Sequence, residues 1–290
     1  MGERTKQKNQ ISIGGILCMA AAALCFSTGG LLIKLIPWSP LAINGARNLI
    51  GAMVIGIYLL IRRHKLVFSR QVFIGALSVM GVTTLFAVAN KLTTAANAIV
   101  LQYTTPVFVI LLMALIYKEK PKKLDVVTCL LVLLGVVLFF IDGLRAGTVL
   151  GNLCALASGI CYAGVFMMNQ GENGDPISSC FIGELMTGII FTPFCFAETD
   201  FTVPTLCYVF LLGAVQVGGA YIFFSEGVKR TPPVAASLIC GLEPIMNPIL
   251  VAIFYKEPVS TLAIIGSVIV IGSILFYNVM IAKKRNFVRN

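Results

Sequence analysis

Charged residues, prolines and short polar turns divide the chain into ten apolar runs, and no other feature of the sequence restricts the fold so tightly. The runs fall near residues 12–36, 40–61, 70–90, 94–117, 124–141, 147–169, 177–196, 203–225, 233–255 and 260–282. A helix needs about 20 apolar residues to cross the hydrocarbon core of a bilayer, and the runs are of that order. Lipid offers backbone groups no partners, so a spanning segment is either a helix or part of a closed barrel. A barrel would show alternating segments of about 10 residues, whereas these runs are continuous. Composition agrees: 58% of the residues are hydrophobic and 12% are charged, against about 25% charged in soluble domains. The expected fold class is all-α integral membrane, with ten transmembrane helices. The basic start and apolar run of residues 1–26 read as the first of these rather than as a signal peptide, because the run is long and further spans follow at once.

Orientation follows from the basic residues. With the N-terminus inside, seventeen of the 22 Lys and Arg fall in the tails and loops of that side, among them Arg62, Arg63, Lys65, Lys118, Lys120, Lys229 and Arg230. Four (Lys34, Lys91, Arg145 and Lys256) fall on the other side, and Arg47 lies within the second span. Basic loops stay in the cytoplasm, so both termini are expected there. The net charge of +10 then reports membrane orientation, and the expected macromolecular surroundings are a lipid bilayer, with no nucleic acid. Trp38 is expected at the outer interface, and His64, in the basic loop "RRHK", in solvent. The nine cysteines include no Cys-x-x-Cys pair and sit in apolar stretches, where a thiol packs as a small hydrophobe.

The segments "YKEKP" (117–121) and "YKEPV" (255–259) expose a duplication. A shift of 138 residues superposes them and lays Pro106 on Pro244, Ala98 on Ala236, Thr93 on Thr231 and Lys91 on Lys229. A shift of 136 lays "LCMAAAALCF" (17–26) over "LCALASGICY" (153–162) and Pro40 over Pro176. The expected domains are therefore two five-helix repeats, 1–143 and 144–290. An odd number of helices inverts the second copy relative to the first. Inverted repeats suit secondary transporters, whose two halves exchange conformations to open the site to either side in turn.

Three stretches carry a resemblance: Ser39–Pro40 with Arg47, "KLTTAANAIVLQYTTPVFVILLMALIYKE" (91–119) and "VKRTPPVAASLICGLEPIMNPILVAIFYKE" (228–257). With the ten-span, two-copy layout, they resemble the drug/metabolite transporter superfamily, and within it the EamA family, over essentially the whole chain. The resemblance implies a multi-pass protein of a bacterial plasma (inner) membrane that moves a small-molecule substrate and needs no cofactor. Arg in the second span and Glu-Pro in the ninth resemble family-wide features, so they do not encode a particular substrate.

Ionisable residues inside spans cost about 2.5–3.5 kcal/mol at the centre on insertion scales, which makes them functional candidates by default. Arg47, Glu184 and Glu243 are the three. A carboxyl removed from water can bind and release a proton near neutral pH, which nominates Glu243 or Glu184 for ion coupling. Arg47 would hold a substrate carboxylate or pair within the bundle. Pro106 and Pro244, at matching positions, and Pro248 are expected to break their helices and free a carbonyl one turn earlier. Breaks near mid-bilayer are where transporters place their sites. Gln102, Tyr103, Thr104, Thr105 and Asn247 are thus candidates for substrate contact, with Tyr162 and Tyr221 as aromatic walls. The plainer use of these hydroxyls and amides is helix–helix hydrogen bonding and repair of the kinks. The glycines of "STGG" (27–30) and "GAVQVGGAY" (213–221) read as packing positions.

No G-x-x-x-x-G-K-[ST] is present, so the chain is not itself an ATP-driven pump. The single His lies in a loop, which disfavours a metalloenzyme, and no metal is expected. The reading is a secondary active transporter of small organic solutes, an amino-acid or metabolite exporter coupled to protons, and not an enzyme. The alternatives within the class are a metabolite importer or a passive facilitator. From another class, the alternative is a non-transporting membrane enzyme or assembly subunit.

Overall fold

In a computed structural model of the chain, the described elements are all helical. The structure describes residues 12–256 apart from 119, 147, 169, 171 and 172, and scattered positions between 261 and 280. The tenth expected span, 260–282, therefore lies largely outside the described residues. Among the described residues, eight stretches are long and apolar enough to cross a membrane: Ile13–Leu35, Pro40–Ile61, Arg70–Leu92, Ala95–Ile116, Val149–Met167, Pro176–Ala197, Val203–Val228 and Pro233–Phe254. These are eight of the ten expected spans, and a ninth helix, Lys123–Ala146, covers the expected 124–141.

Several spans are interrupted. The first is α1 (Ile13–Phe26) and α2 (Gly29–Leu35), parted at Ser27–Thr28, followed by unbroken α3 (Pro40–Ile61) and α4 (Arg70–Leu92). The fourth is α5 (Ala95–Gln102) and α6 (Thr105–Ile116), and α7 (Lys123–Ala146) and α8 (Val149–Met167) are continuous. The seventh is α9 (Pro176–Phe191), closed by a 3-10 turn over Thr192–Ala197. The eighth runs from α10 (Val203–Leu211) through a π-helical stretch, Leu212–Gly219, into α11 (Ala220–Val228). The ninth is α12 (Pro233–Ile239), a 3-10 turn at Cys240–Leu242, and α13 (Glu243–Phe254). α13 continues through position 248, so the second break expected there does not form.

Local chemistry sets the starts of these helices. Ser39, Ser69, Thr94, Thr148 and Asp175 each accept a hydrogen bond from the amide three residues on, satisfying one of the donors that a helix start leaves unpaired. Pro40 and Pro176 follow their caps directly, where a missing N–H costs nothing. The ends repeat as well. α6 and α13 stop at Tyr117 and Tyr255, and the next residues, Lys118 and Lys256, take the left-handed conformation at φ 54° and 57°. The two Tyr-Lys pairs thus terminate their helices with the same backbone geometry.

Contacts between connectors gather at the two ends of the bundle. At one end Ser12 N–H donates to the Arg230 carbonyl (3.2 Å), His64 meets Asp175 (2.8 Å) and Tyr277 donates to Asp125 (3.0 Å). At the other, Lys34 donates to the Thr93 carbonyl at the end of α4 (3.0 Å), and Lys91 donates to the Ile36 carbonyl at the end of α2 (2.6 Å). Each lysine so caps the other's helix, the favourable sign for a helix C-terminus. The Trp38 indole is buried rather than at a lipid interface. It donates to the Asp200 carbonyl (2.7 Å) and packs edge-on against Phe201. Large side chains such as Leu60, Leu115, Ile253 and Phe254 remain exposed on the bundle, as a bilayer-facing surface requires.

Close approach is demanded where α8 crosses the break between α5 and α6. A Cβ at Gly159 would stand 2.6 Å from the Gln102 carbonyl and 2.9 Å from the Thr104 hydroxyl. Gly159→Val is expected to lower stability by about 1–3 kcal/mol through overpacking. A lowered melting temperature in detergent checks this, and an unchanged one refutes it.

Candidate functional site

The two broken helices meet across the bundle, and the proline-freed carbonyls show how. Pro106 cannot donate to the Gln102 carbonyl one turn back, and the Thr105 hydroxyl takes that carbonyl instead (2.7 Å) while also reaching Gly159 O (3.1 Å). Pro244 likewise frees the Cys240 carbonyl, which accepts from the Tyr103 hydroxyl, 137 residues away in the chain. The Thr104 hydroxyl returns to Leu101 O (2.9 Å). Three of the expected substrate contacts, Tyr103, Thr104 and Thr105, are therefore engaged in repairing the breaks. Asn247 is also buried, packed against Gly30, and neither of its amide atoms has a hydrogen-bond partner.

A cavity lies beside the breaks. It is lined by Phe26, Arg47, Val82, Thr83, Phe86, Gln102, Tyr162, Gln216, Val217, Tyr221 and Glu243. Its volume is about 30 Å³. That is room for a water or two, far short of an organic solute. The structure is thus contracted around its cavity.

Arg47 forms one pole. α3 presents Asn44, Arg47 and Asn48 on one face, the i, i+3, i+4 spacing of a helix stripe. The Arg47 guanidinium donates to Asn44 Oδ1 (3.1 Å), to the Thr83 carbonyl (2.7 Å) and, at 3.4 Å, to Gln216 Oε1. Asn44 is itself held: it donates to Thr84 Oγ1 (2.9 Å) and accepts from Asn48 (2.7 Å). Arg47 Nε has no partner, so part of the donor fork is free. Glu184 lies within electrostatic reach of Arg47, yet both of its oxygens are buried without a hydrogen bond.

Glu243 forms the other pole. It is the first residue of α13, where the positive end of the helix dipole favours a carboxylate. Tyr162 reaches it through a long hydroxyl contact of 3.4 Å. Aromatic rings join the poles: Phe26 packs edge-on against Tyr221 (centroids 5.1 Å) and Tyr162 (6.3 Å), with Phe166 and Phe224 behind them.

The structure so brings Arg47, Gln102, Tyr162, Tyr221 and Glu243 to one cavity, and leaves Tyr103, Thr104, Thr105, Asn247 and Glu184 outside its lining. Gln216, Thr83, Phe26 and Phe86 line the cavity and were not singled out in the sequence. Gln216 had a signal: it is a lone amide in an otherwise apolar and glycine-rich segment. Its place depends on the π-helical stretch, a feature frequent at functional sites, which adds a residue to the turn and lays the Gln216 side chain against Gly29.

Comparison with known proteins decides the family. The EamA-like transporter family matches residues 13–141 and, a second time, 149–279. The chain belongs to the EamA-like transporter family. It is accordingly an integral, multi-pass membrane transporter that works in a lipid bilayer on a small-molecule substrate. It is 26% identical to the uncharacterized transporter YetK of Bacillus subtilis (strain 168), over 94% of this chain and 88% of that protein. It is 25% identical to an uncharacterized transporter of Clostridium kluyveri, over 70% of each chain. A solved crystal structure of another protein superposes with a TM-score of 0.71 at 20% identity, covering 92% of this chain and 98% of that one. That similarity concerns the fold alone.

Proposed function

We propose that this EamA-family chain is a proton-coupled exporter of amino acids or similarly zwitterionic metabolites in a bacterial plasma membrane. It works by alternating access between two inverted five-helix repeats, with both termini in the cytoplasm. The observation that carries the reading is a single cavity with a partly free guanidinium at one pole, a carboxyl at the other and aromatic rings between them. A planar fork suits a substrate carboxylate, and Glu243 suits an ammonium. A substrate ammonium and a proton would compete for that carboxyl, so that binding one displaces the other. Exchange of an outgoing solute for an incoming proton follows from that competition. Gln216 and Gln102 supply neutral polar contacts, and Tyr162 and Tyr221 wall the substrate side chain.

Purified protein screened against amino acids and related amines and acids should gain thermal stability with zwitterions, since a ligand that prefers the folded state raises its apparent stability. In proteoliposomes the same compounds should show saturable uptake and counterflow of labelled substrate. Flux without saturation or counterflow points to a passive facilitator. No flux under any gradient points to a non-transporting role and defeats the proposal.

A further inference from the structure

The two repeats are joined at both ends of α3 and α9 by equivalent pairs of connectors, and one junction alone carries a histidine. At one end the connector after α3 meets the connector before α9. His64 Nε2 lies 2.8 Å from Asp175 Oδ2, Val67 N–H donates to Ser178 Oγ (3.0 Å) and Ser69 Oγ donates to Asn173 O (2.8 Å). At the other end the connector before α3 meets the one after α9, where Ser39 N–H donates to Glu198 Oε1 (2.8 Å) and Trp38 to Asp200 O (2.7 Å). The shift of 136 lays Ser39 on Asp175 and His64 on Asp200. Ser39 and Asp175 are also both the N-caps of their helices. The two junctions are thus counterparts in the two repeats, with different chemistry.

We infer that the His64–Asp175 pair is a pH-sensitive latch that holds the repeats together at the end proposed to face the cytoplasm. Asp175 accepts from the Ser178 hydroxyl (2.5 Å) and from Ser178 N–H (3.2 Å), so its carboxylate is oriented towards the histidine by its own helix. Side-chain exposures of 31% for His64 and 12% for Asp175 leave the imidazole open to protons while the carboxylate is shielded. Imidazole is the side chain whose charge ordinarily changes between about pH 5 and 8. Burial opposes ionisation of Asp175, but hydrogen bonds from Ser178 and His64 and the charges of His64 and Lys229 outweigh it and hold this carboxyl below its usual range. The sign follows. An imidazolium would face the Asp175 carboxylate as an ion pair and a neutral imidazole leaves a hydrogen bond alone, so the contact is stronger on the acid side of the ordinary imidazole range.

The other charges nearby belong to residue types whose ordinary ranges lie outside that window. Lys229 and Arg230, at the end of α11, are held by Glu226 at 3.2 and 3.0 Å. Arg62, Arg63 and Lys65 flank His64 on its own connector, and the thiol facing Asp175 is Cys180 of α9. The opposite junction is built on backbone groups and the Glu198 carboxylate, with no imidazole. Acidification would therefore act on one gate: a more acid cytoplasm keeps the inner end shut and slows loading of substrate.

The test is hydrogen–deuterium exchange on the full chain in lipid nanodiscs, without substrate, so that its failure is separate from failure of the transport reading. After correction for the intrinsic pH dependence of exchange, protection of the peptides containing Val67 and Ser178 should be about threefold higher near pH 6 than near pH 8. His64→Gln should remove that difference, and His64→Arg, always charged, should keep protection high near pH 8. Asp175→Asn retains a good N-cap and removes the charge, so it should behave as His64→Gln. Equal wild-type protection at both pH values, or an undiminished pH effect in His64→Gln, would overturn the inference.

Discussion

Arg47→Met should reduce transport of the proposed zwitterionic substrate about 100-fold in kcat/KM, a loss of about 2.7 kcal/mol. That lies within the roughly 2–5 kcal/mol expected when one partner of a buried, hydrogen-bonded charge pair is truncated. The argument rests on how the guanidinium is held. Asn44 Oδ1 and the Thr83 carbonyl fix Nη2, Gln216 stands at 3.4 Å from Nη1, and Nε has no partner. One side of a rigid fork is anchored and part of the other side is available to a carboxylate. Arg47→Lys keeps the charge but cannot anchor and bind at once, since an ammonium is a point donor on a flexible stem. It should recover no more than about a tenth of wild-type activity.

A purely architectural Arg47 makes a different forecast. Met would then unfold or destabilise the bundle without altering binding in the folded fraction. The two are separated by the thermal shift that substrate induces: Met should abolish the shift while the unliganded protein still melts cooperatively. Should the single variant fail to fold, Arg47→Met with Glu184→Gln replaces both of these neighbouring buried ionisable groups, and the same shift is measured there. A preserved substrate-induced shift in either folded variant would take Arg47 out of the site.

Much of this architecture was legible because its causes are local. Apolar runs of membrane-crossing length, N-caps such as Ser39 and Asp175, and prolines 106 and 244 act on their own neighbourhoods, and the helices begin and break beside them. The paired "YKE" segments were read as markers of register, and both lysines do adopt the same left-handed turn. Pro248 shows the limit of a one-residue rule. Its helix continues through that position, as membrane helices tolerate proline when neighbouring groups can take up the freed carbonyl.

What stayed hidden depended on contacts between distant segments. Nothing near Tyr103 in the chain indicates that its hydroxyl will meet Cys240 O, a bond between two broken helices. His64 stands in a loop dense with Arg and Lys and read as solvated, but Asp175, 111 residues away, gives it a partner. Trp38 read as an interface anchor and instead locks onto Asp200. Gln216 enters the cavity because the eighth span adopts a π-helical stretch, an added residue that a 3.6-residue periodicity cannot reveal.

Glu243→Gln should abolish accumulation driven by a pH gradient while leaving exchange of substrate for substrate measurable. Each proton exchanged per substrate lets a gradient of about one pH unit sustain about tenfold accumulation, because one pH unit is worth about 1.36 kcal/mol. The variant should fall from that ratio to none. Gln is nearly isosteric, so it keeps the Tyr162 contact at the head of α13 and the shape of the cavity. What it removes is the ability to hold a proton, and therefore the competition between proton and substrate. Exchange needs the cavity to open to each side in turn but needs no proton, so it should survive and lose its pH dependence. The comparison is made in proteoliposomes, with an imposed pH gradient for accumulation and matched pH for exchange. If Glu243→Gln accumulates substrate as the wild type does, the proton travels by another group. Glu184, buried beside Arg47 with both oxygens unpartnered, is then the next to be replaced. If accumulation and exchange vanish together, Glu243 serves substrate binding or opening itself, and coupling through it is refuted.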